Sequence, residues 1–182
     1  MGFQSSQGLT MNMHEVELID AITGSLSPLG LHNRIEAELE RAKLSRATMS
    51  LVMLSLGQFD DVVARFGVEA GQNFLRRMVA ACRTCLRSSD SIGRIGTDFV
   101  VILPEIPERG GQRVAERLRA AVNAISLARE GDAMPQAVEL GVASMSGVDR
   151  IGGLTAEQAI TRAHEAMLTP GHSQDEAQEI AA

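Results

Sequence analysis

Two short stretches carry side chains spaced for chemistry: Arg87-Ser88-Ser89-Asp90 and, after five intervening residues, Gly96-Thr97-Asp98. An arginine presents a planar fork that fits phosphate oxygens or a guanine edge. An aspartate three positions later accepts hydrogen bonds from N–H donors. The pair also has two plainer uses. Arg87 and Asp90 can form a solvated ion pair worth about 0–1 kcal/mol. Alternatively, Asp90 can accept from the backbone of its own turn. Type and spacing leave all three readings open.

The other reactive residues point less clearly to a site. Cys82 and Cys85 have CxxC spacing, but no second such pair exists, so a four-thiolate zinc site is not available. They lie in an apolar helical pattern with Phe74, Met78, Val79 and Leu86. This pattern predicts two core-facing, reduced thiols and a cytoplasmic setting. His14, His32, His164 and His172 are scattered without metal-ligand spacing.

Composition narrows the class. The chain has 182 residues, enough for one domain with a proper core. It has no Trp or Tyr and five Phe, so the core must be mostly aliphatic. The net charge of −6 argues against broad nucleic-acid binding, and any anion must meet a local basic patch. No run of about twenty apolar residues is present to span a membrane. The polar start "MGFQSSQGLT" lacks the pattern of a signal peptide.

The elements that must position these residues can be read in order. Residues 12–23 read as a short helix ending near Gly24, and Ser25–Gly30 as a turn. Leu31, Ile35, Leu39 and Ala42 recur at helical spacing. Thr48–Leu56 is short and continuously apolar, as a strand buried on both faces would be. A short helix ends at Gly67, and a longer one covers Ala70–Leu86. "SIGRI" and "DFVVILPE" flank Gly96-Thr97, which predicts a hairpin. Pro107–Ile125 reads as a helix and "QAVELGVASM" as a strand. The last helix has Thr155 at its N-cap and stops before Pro170. The expected fold class is α/β, one sheet flanked by helices, with the antiparallel hairpin at its centre. Residues 1–13 read as a flexible leader, 14–170 as the domain and 171–182 as a frayed acidic tail.

This order and four local patterns resemble the GGDEF domain of diguanylate cyclases. "DAITG" is similar to the D-x-L-T-G that opens such domains. "LVMLSLGQFDDVVARFGVEAGQNFL", "RSSDSIGRIGTDFVVILPE" and "RVAERLRAAV" resemble its later motifs. Together they cover about Asp20 to Leu168. The resemblance implies a nucleotidyl-cyclase-like fold with a central, mostly antiparallel sheet. It also implies a site in which two metal ions hold the phosphates of GTP.

Carried over position by position, that site is degenerate. Ser55 stands where the family's strand aspartate binds metal, and Gly57 where a second aspartate lies. Asp60 replaces a phosphate-binding lysine. Val63 replaces the guanine-reading asparagine, Ala64 the aspartate after it, and Gln72 another guanine partner. Gly171 stands in place of a phosphate lysine. The signature turn has become Gly96-Thr97-Asp98-Phe99, one residue short. Anchored at Phe99, Asp98 takes the place of the catalytic glutamate. Anchored at Arg94, it matches the family's first acidic residue and the glutamate is missing. The expectation is a protein that is not an enzyme, with no bound magnesium or other cofactor.

The other motif stretch is intact. Arg87 and Asp90 match in type and spacing the family's R-x-x-D inhibitory product site. The resemblance therefore implies a receptor for cyclic di-GMP that signals to a protein partner. Micromolar binding needs about 8 kcal/mol, and charged hydrogen bonds contribute roughly 1.5–3 kcal/mol each. Two residues fall short, so another arginine is expected from the following helix. Arg117 is the candidate, with Arg119 behind it, while Arg94 is expected to support the turn. A ligand-bridged homodimer is a further expectation. The alternative is a nucleotide-independent interaction scaffold.

Overall fold

The computed structural model describes residues 18–57, 59–125, 138–146 and 153–168. The expected leader and tail, both domain limits, His14, Gly171 and His172 lie outside them. The elements run α1 (Pro28–Ser45), β1 (Thr48–Leu56), α2 (Phe59–Phe66), α3 (Val68–Thr84), β2 (Ser91–Ile95), β3 (Asp98–Pro104), α4 (Glu108–Asn123), β4 (Val138–Ser146) and α5 (Ala156–Leu168). The four strands form one sheet in the order β2-β3-β1-β4, and every pairing is antiparallel.

Strand β1 is mostly apolar because helices cover both faces of the sheet, and its buried Ser50 hydroxyl donates to the Ile106 carbonyl. On one face Val52, Leu54, Leu56, Phe99 and Val101 pack with Phe74 and Met78 of α3 and Val114 and Leu118 of α4. On the other, Leu51, Met53, Val100 and Ile102 pack with Leu31 and Ile35 of α1 and Ala156, Ala159 and Ala163 of α5. Small residues let α5 lie close to the sheet. A Cβ on Gly141 would run into the Ala163 carbonyl and Met167. At the start of α5 the Thr155 hydroxyl accepts from the Gln158 N–H, and the Gln158 side chain accepts from the Thr155 N–H. This is a reciprocal capping box.

Three expectations need correction. From Ile19 onward the first segment is a turn rather than a helix, with Ile19 bridging to Leu26; Leu18 is helical, and residues 12–17 lie outside the described ones. The Asp20 carboxylate accepts from the backbone and hydroxyl of Thr23 at 2.8 and 2.6 Å, so the side chain competes with helical hydrogen bonding. Ser25–Gly30 is only partly a turn. Ser27 caps α1 by accepting from Gly30 N–H, and Pro28 fills the first helical position, where no N–H is needed. The β2–β3 hairpin forms one side of the sheet, and β3 separates β2 from β1.

The Asp20 turn also closes the sheet edge. Leu26 N–H donates to the Ile92 carbonyl, and Arg94 N–H donates to the Leu26 carbonyl, both at 2.9 Å. The Arg94 side chain joins the two regions, with Nε on the Gly96 carbonyl at 2.7 Å and Nη1 on Asp20 at 3.3 Å. Arg94 thus holds the hairpin loop, as expected. Asp20 and Arg94 are only 18% and 15% exposed. Burial pushes the Asp20 carboxyl up, but the Thr23 hydrogen bonds and the Arg94 guanidinium outweigh it and hold it below its ordinary value of 3.8. No helix among the described residues is long and apolar enough to cross a membrane.

Two outcomes follow. Gly141→Val forces α5 off β4 and costs about 1–3 kcal/mol, the usual effect of overpacking. Urea denaturation should show a lower midpoint with an unchanged slope. Asp20→Asn costs about 1–2 kcal/mol near neutral pH, the scale of a charge-assisted hydrogen bond. A lowered carboxyl pKa contributes stability above the ordinary value of 3.8, lost as pH falls through the folded value. The gap between wild type and Asp20→Asn should therefore close as pH falls below 3.8. A gap independent of pH contradicts this assignment.

Candidate functional site

Helix α3 ends at Thr84, with Cys85 as its C-cap. The chain then makes a tight turn over Arg87–Asp90 before entering β2. Asp90 N–H donates to the Arg87 carbonyl at 3.1 Å, and the Asp90 carboxylate accepts from Arg87 N–H at 2.8 Å. The Ser89 hydroxyl adds a bond to the same carboxylate at 3.2 Å. Asp90 is thus the turn-closing residue, half-buried, with one donor on each oxygen. A carboxylate oxygen accepts more than one bond, so acceptor capacity remains. Arg87 is exposed, and its guanidinium has no partner among the described residues. The ion-pair alternative is not realised, whereas the turn-closing one is.

Arg117 comes to this turn from α4. Its Nη2 donates to the Cys85 carbonyl at 2.8 Å, and the Cys85 thiol lies 3.7 Å from the Arg117 carbonyl. A cation here satisfies a helix C-terminal carbonyl and complements the helix dipole. It also sets Arg117 against the residue two positions before Arg87. Arg119 points along its own helix toward Glu116 at 3.9 Å. Arg34 of α1 was not expected here. Its Nη2 donates to the Ser89 carbonyl at 3.3 Å. The Cys pair is structural. Cys82 is buried, and burial, with Cys85 nearby, pushes its thiol up to about 12. It is a protonated, unreactive thiol at neutral pH.

Of the positions expected to be degenerate, Ser55, Gly96, Thr97 and Asp98 lie at the opposite end of β2. The Leu54–Phe99 pair sets Ser55 beside Asp98 at the end of the β1–β3 ladder, while Ser55 pairs with Glu139 on β4. Asp98 is half-buried and opens β3 opposite Ile95. Gly96 and Thr97 form the exposed two-residue loop, and Gly96 takes φ +63°, a conformation favouring glycine. Gly57 is an exposed turn residue after β1. Val63 belongs to the α2–α3 packing: its Cγ2 would lie 2.8 Å from a Cβ on Gly71. Gln72 is half-buried in α3 beside Gly71. Among the described residues, no three His, Cys, Asp or Glu side chains are grouped to hold a metal ion.

The chain can now be set beside known proteins. Residues 17–176 match the family described as diguanylate cyclase, GGDEF domain. Diguanylate cyclase DgcP of Pseudomonas aeruginosa is 30% identical over 152 residues, covering 82% of this chain but 23% of that protein. The diguanylate cyclase SiaD of Pseudomonas aeruginosa, solved in complex with its activator SiaC, superposes with a TM-score of 0.75 at 28% identity, covering 86% of this chain and 60% of that one. The GGDEF domain of DgcB from Caulobacter crescentus, in complex with c-di-GMP, has a TM-score of 0.74 at 19% identity, covering 83% and 88% of the two chains, and shows the shared fold. The family match across most of the sequence and the fold shared with solved domains agree: this chain belongs to the GGDEF diguanylate cyclase family.

Proposed function

We propose that this GGDEF domain is catalytically inactive and binds cyclic di-GMP at the Arg87–Asp90 turn, passing occupancy on to a protein partner. One observation carries the reading. The Arg87 guanidinium stands exposed and unpaired among the described residues, on a turn with a half-buried carboxylate and with Arg117 alongside. A ligand with two phosphates and two guanines matches these groups. Arg87 takes a phosphate or the guanine O6 and N7 edge. Asp90 accepts from guanine N–H donors with its remaining lone pairs. Arg117 adds a second cation, sharing its guanidinium between the Cys85 carbonyl and the ligand. The DgcB complex with c-di-GMP and the SiaD complex with SiaC support the choice of ligand and of a protein partner.

Loss of catalysis follows from the other end of the sheet. Ser55 offers a hydroxyl where hard divalent ions want carboxylate oxygens. Val63 packs on Gly71 and has no amide to read a base. Removing one transition-state electrostatic contact costs about 2.7–4 kcal/mol, and several are missing here. Binding at the turn therefore needs no magnesium. The two free thiols fit a cytoplasmic setting. A ligand dimer bridging two copies is the proposed assembly.

A second reading has its own observation. Asp90 is already bonded within its turn and Arg117 to the Cys85 carbonyl, as in a nucleotide-independent scaffold. Isothermal titration separates the two. Cyclic di-GMP should bind with micromolar affinity, equally well in EDTA, and Arg87→Ala or Asp90→Ala should weaken it by about tenfold or more, the scale of one charged hydrogen bond. No heat at tens of micromolar ligand favours the scaffold. Incubation with GTP and magnesium should yield no cyclic di-GMP, and turnover overturns the inactive reading.

A further inference from the structure

The turn that carries Arg87 and Asp90 is reached by a residue to which no motif points. Arg34 lies on α1, 55 positions before Ser89, and its Nη2 is shared between the Ser89 carbonyl at 3.3 Å and Glu38 Oε1 at 2.9 Å. Its other terminal nitrogen, Nη1, has no partner among the described residues, and the side chain is 40% exposed. Glu38 is 7% exposed and also holds Arg41 Nε at 2.9 Å, so one shielded carboxylate is divided between two guanidiniums.

The placement of the two helices matters. α1 packs on one face of the sheet and α4 on the other. Arg34 and Arg117 therefore approach the segment between α3 and β2 from opposite faces, one at Ser89 and one at Cys85. With Arg87 they set three guanidiniums around the turn, against the carboxylates of Asp90 and Glu38. In a chain of net charge −6 this is a local concentration of positive charge. A cyclic dinucleotide presents two phosphates. Arg87 and Arg117 alone leave at least one phosphate or guanine edge without a two-pronged donor.

We infer that Arg34 is a ligand-contacting residue of this site, supplied by α1 to a phosphate of a cyclic dinucleotide bound across the Arg87–Asp90 turn. The inference rests on the proposed binding of cyclic di-GMP at that turn. Nη1 is available without breaking any bond, and Nη2 turns from the long Ser89 contact to form the second prong. Glu38 keeps the guanidinium oriented while the ligand is absent. A lysine at this position can still pair with Glu38 but offers no planar fork.

The test is titration of cyclic di-GMP into the full 182-residue chain as wild type, Arg34→Ala, Arg34→Lys and Arg87→Ala, with melting temperatures measured without ligand. Arg34→Ala should weaken binding by about tenfold or more, the loss of one bidentate charged contact. Arg34→Lys should melt close to wild type yet remain as weak as the alanine variant. Wild-type affinity in Arg34→Ala, or full rescue by Arg34→Lys, overturns the inference while leaving the turn as the site. If Arg34→Ala does not fold, the lysine variant decides alone. No binding by wild type, or undiminished binding by Arg87→Ala, removes the proposed site and this inference with it.

Discussion

A helix that ends against other elements leaves carbonyls that need donors. α3 ends at Cys85, and the donor that meets the Cys85 carbonyl is the Arg117 guanidinium. This bond ties α4, which shares an apolar core with α3, to the end of that helix and brings a second cation to the approach of Arg87. The turn that follows is closed from within by the Asp90 carboxylate on the Arg87 N–H. The geometry of the candidate site therefore rests on the termination of one helix. The arginine that serves the fold by meeting that carbonyl also stands beside the turn proposed as the binding site.

Strand β2 separates this region from the Gly96-Thr97 loop of the hairpin. The Arg87–Asp90 turn enters β2 and the Gly96-Thr97 loop leaves it. Four residue steps lie between Ser91 and Ile95, about 13 Å at the rise of an extended strand. The hairpin loop and Asp98 therefore lie a strand's length from the turn. Arg94 works at the hairpin end alone, tying Gly96 to Asp20. It holds the hairpin as a structural unit. The Val63 side chain fills space between α2 and α3 beside Gly71.

Much of this was legible in the sequence because it depends on local pattern. Thr48–Leu56 reads as a strand buried on both faces, and the two cores explain its continuous apolar run. The hairpin around Gly96-Thr97 and the Thr155 cap are signalled by residues a few positions apart. Residues 12–23 read as one short helix ending near Gly24, but of those described only Leu18 is helical. The Asp20 carboxylate instead captures Thr23, and that side-chain choice leaves no periodic trace. Long-range polar contacts are silent for the same reason. Arg34 meets Ser89 across 55 residues, and Glu36 accepts from Ala156 N–H across 120. Only the packing of α1 against the sheet and α5 brings these groups together.

The most direct test of the division between the two ends is a titration of cyclic di-GMP into isotopically labelled protein, followed by amide chemical shifts. Ligand bound at the turn should move the amides of Arg87 to Asp90 and of Arg117, and leave Gly96, Thr97 and Val63 in place. Shifts concentrated at the hairpin and α2, or none at saturating ligand, would contradict it.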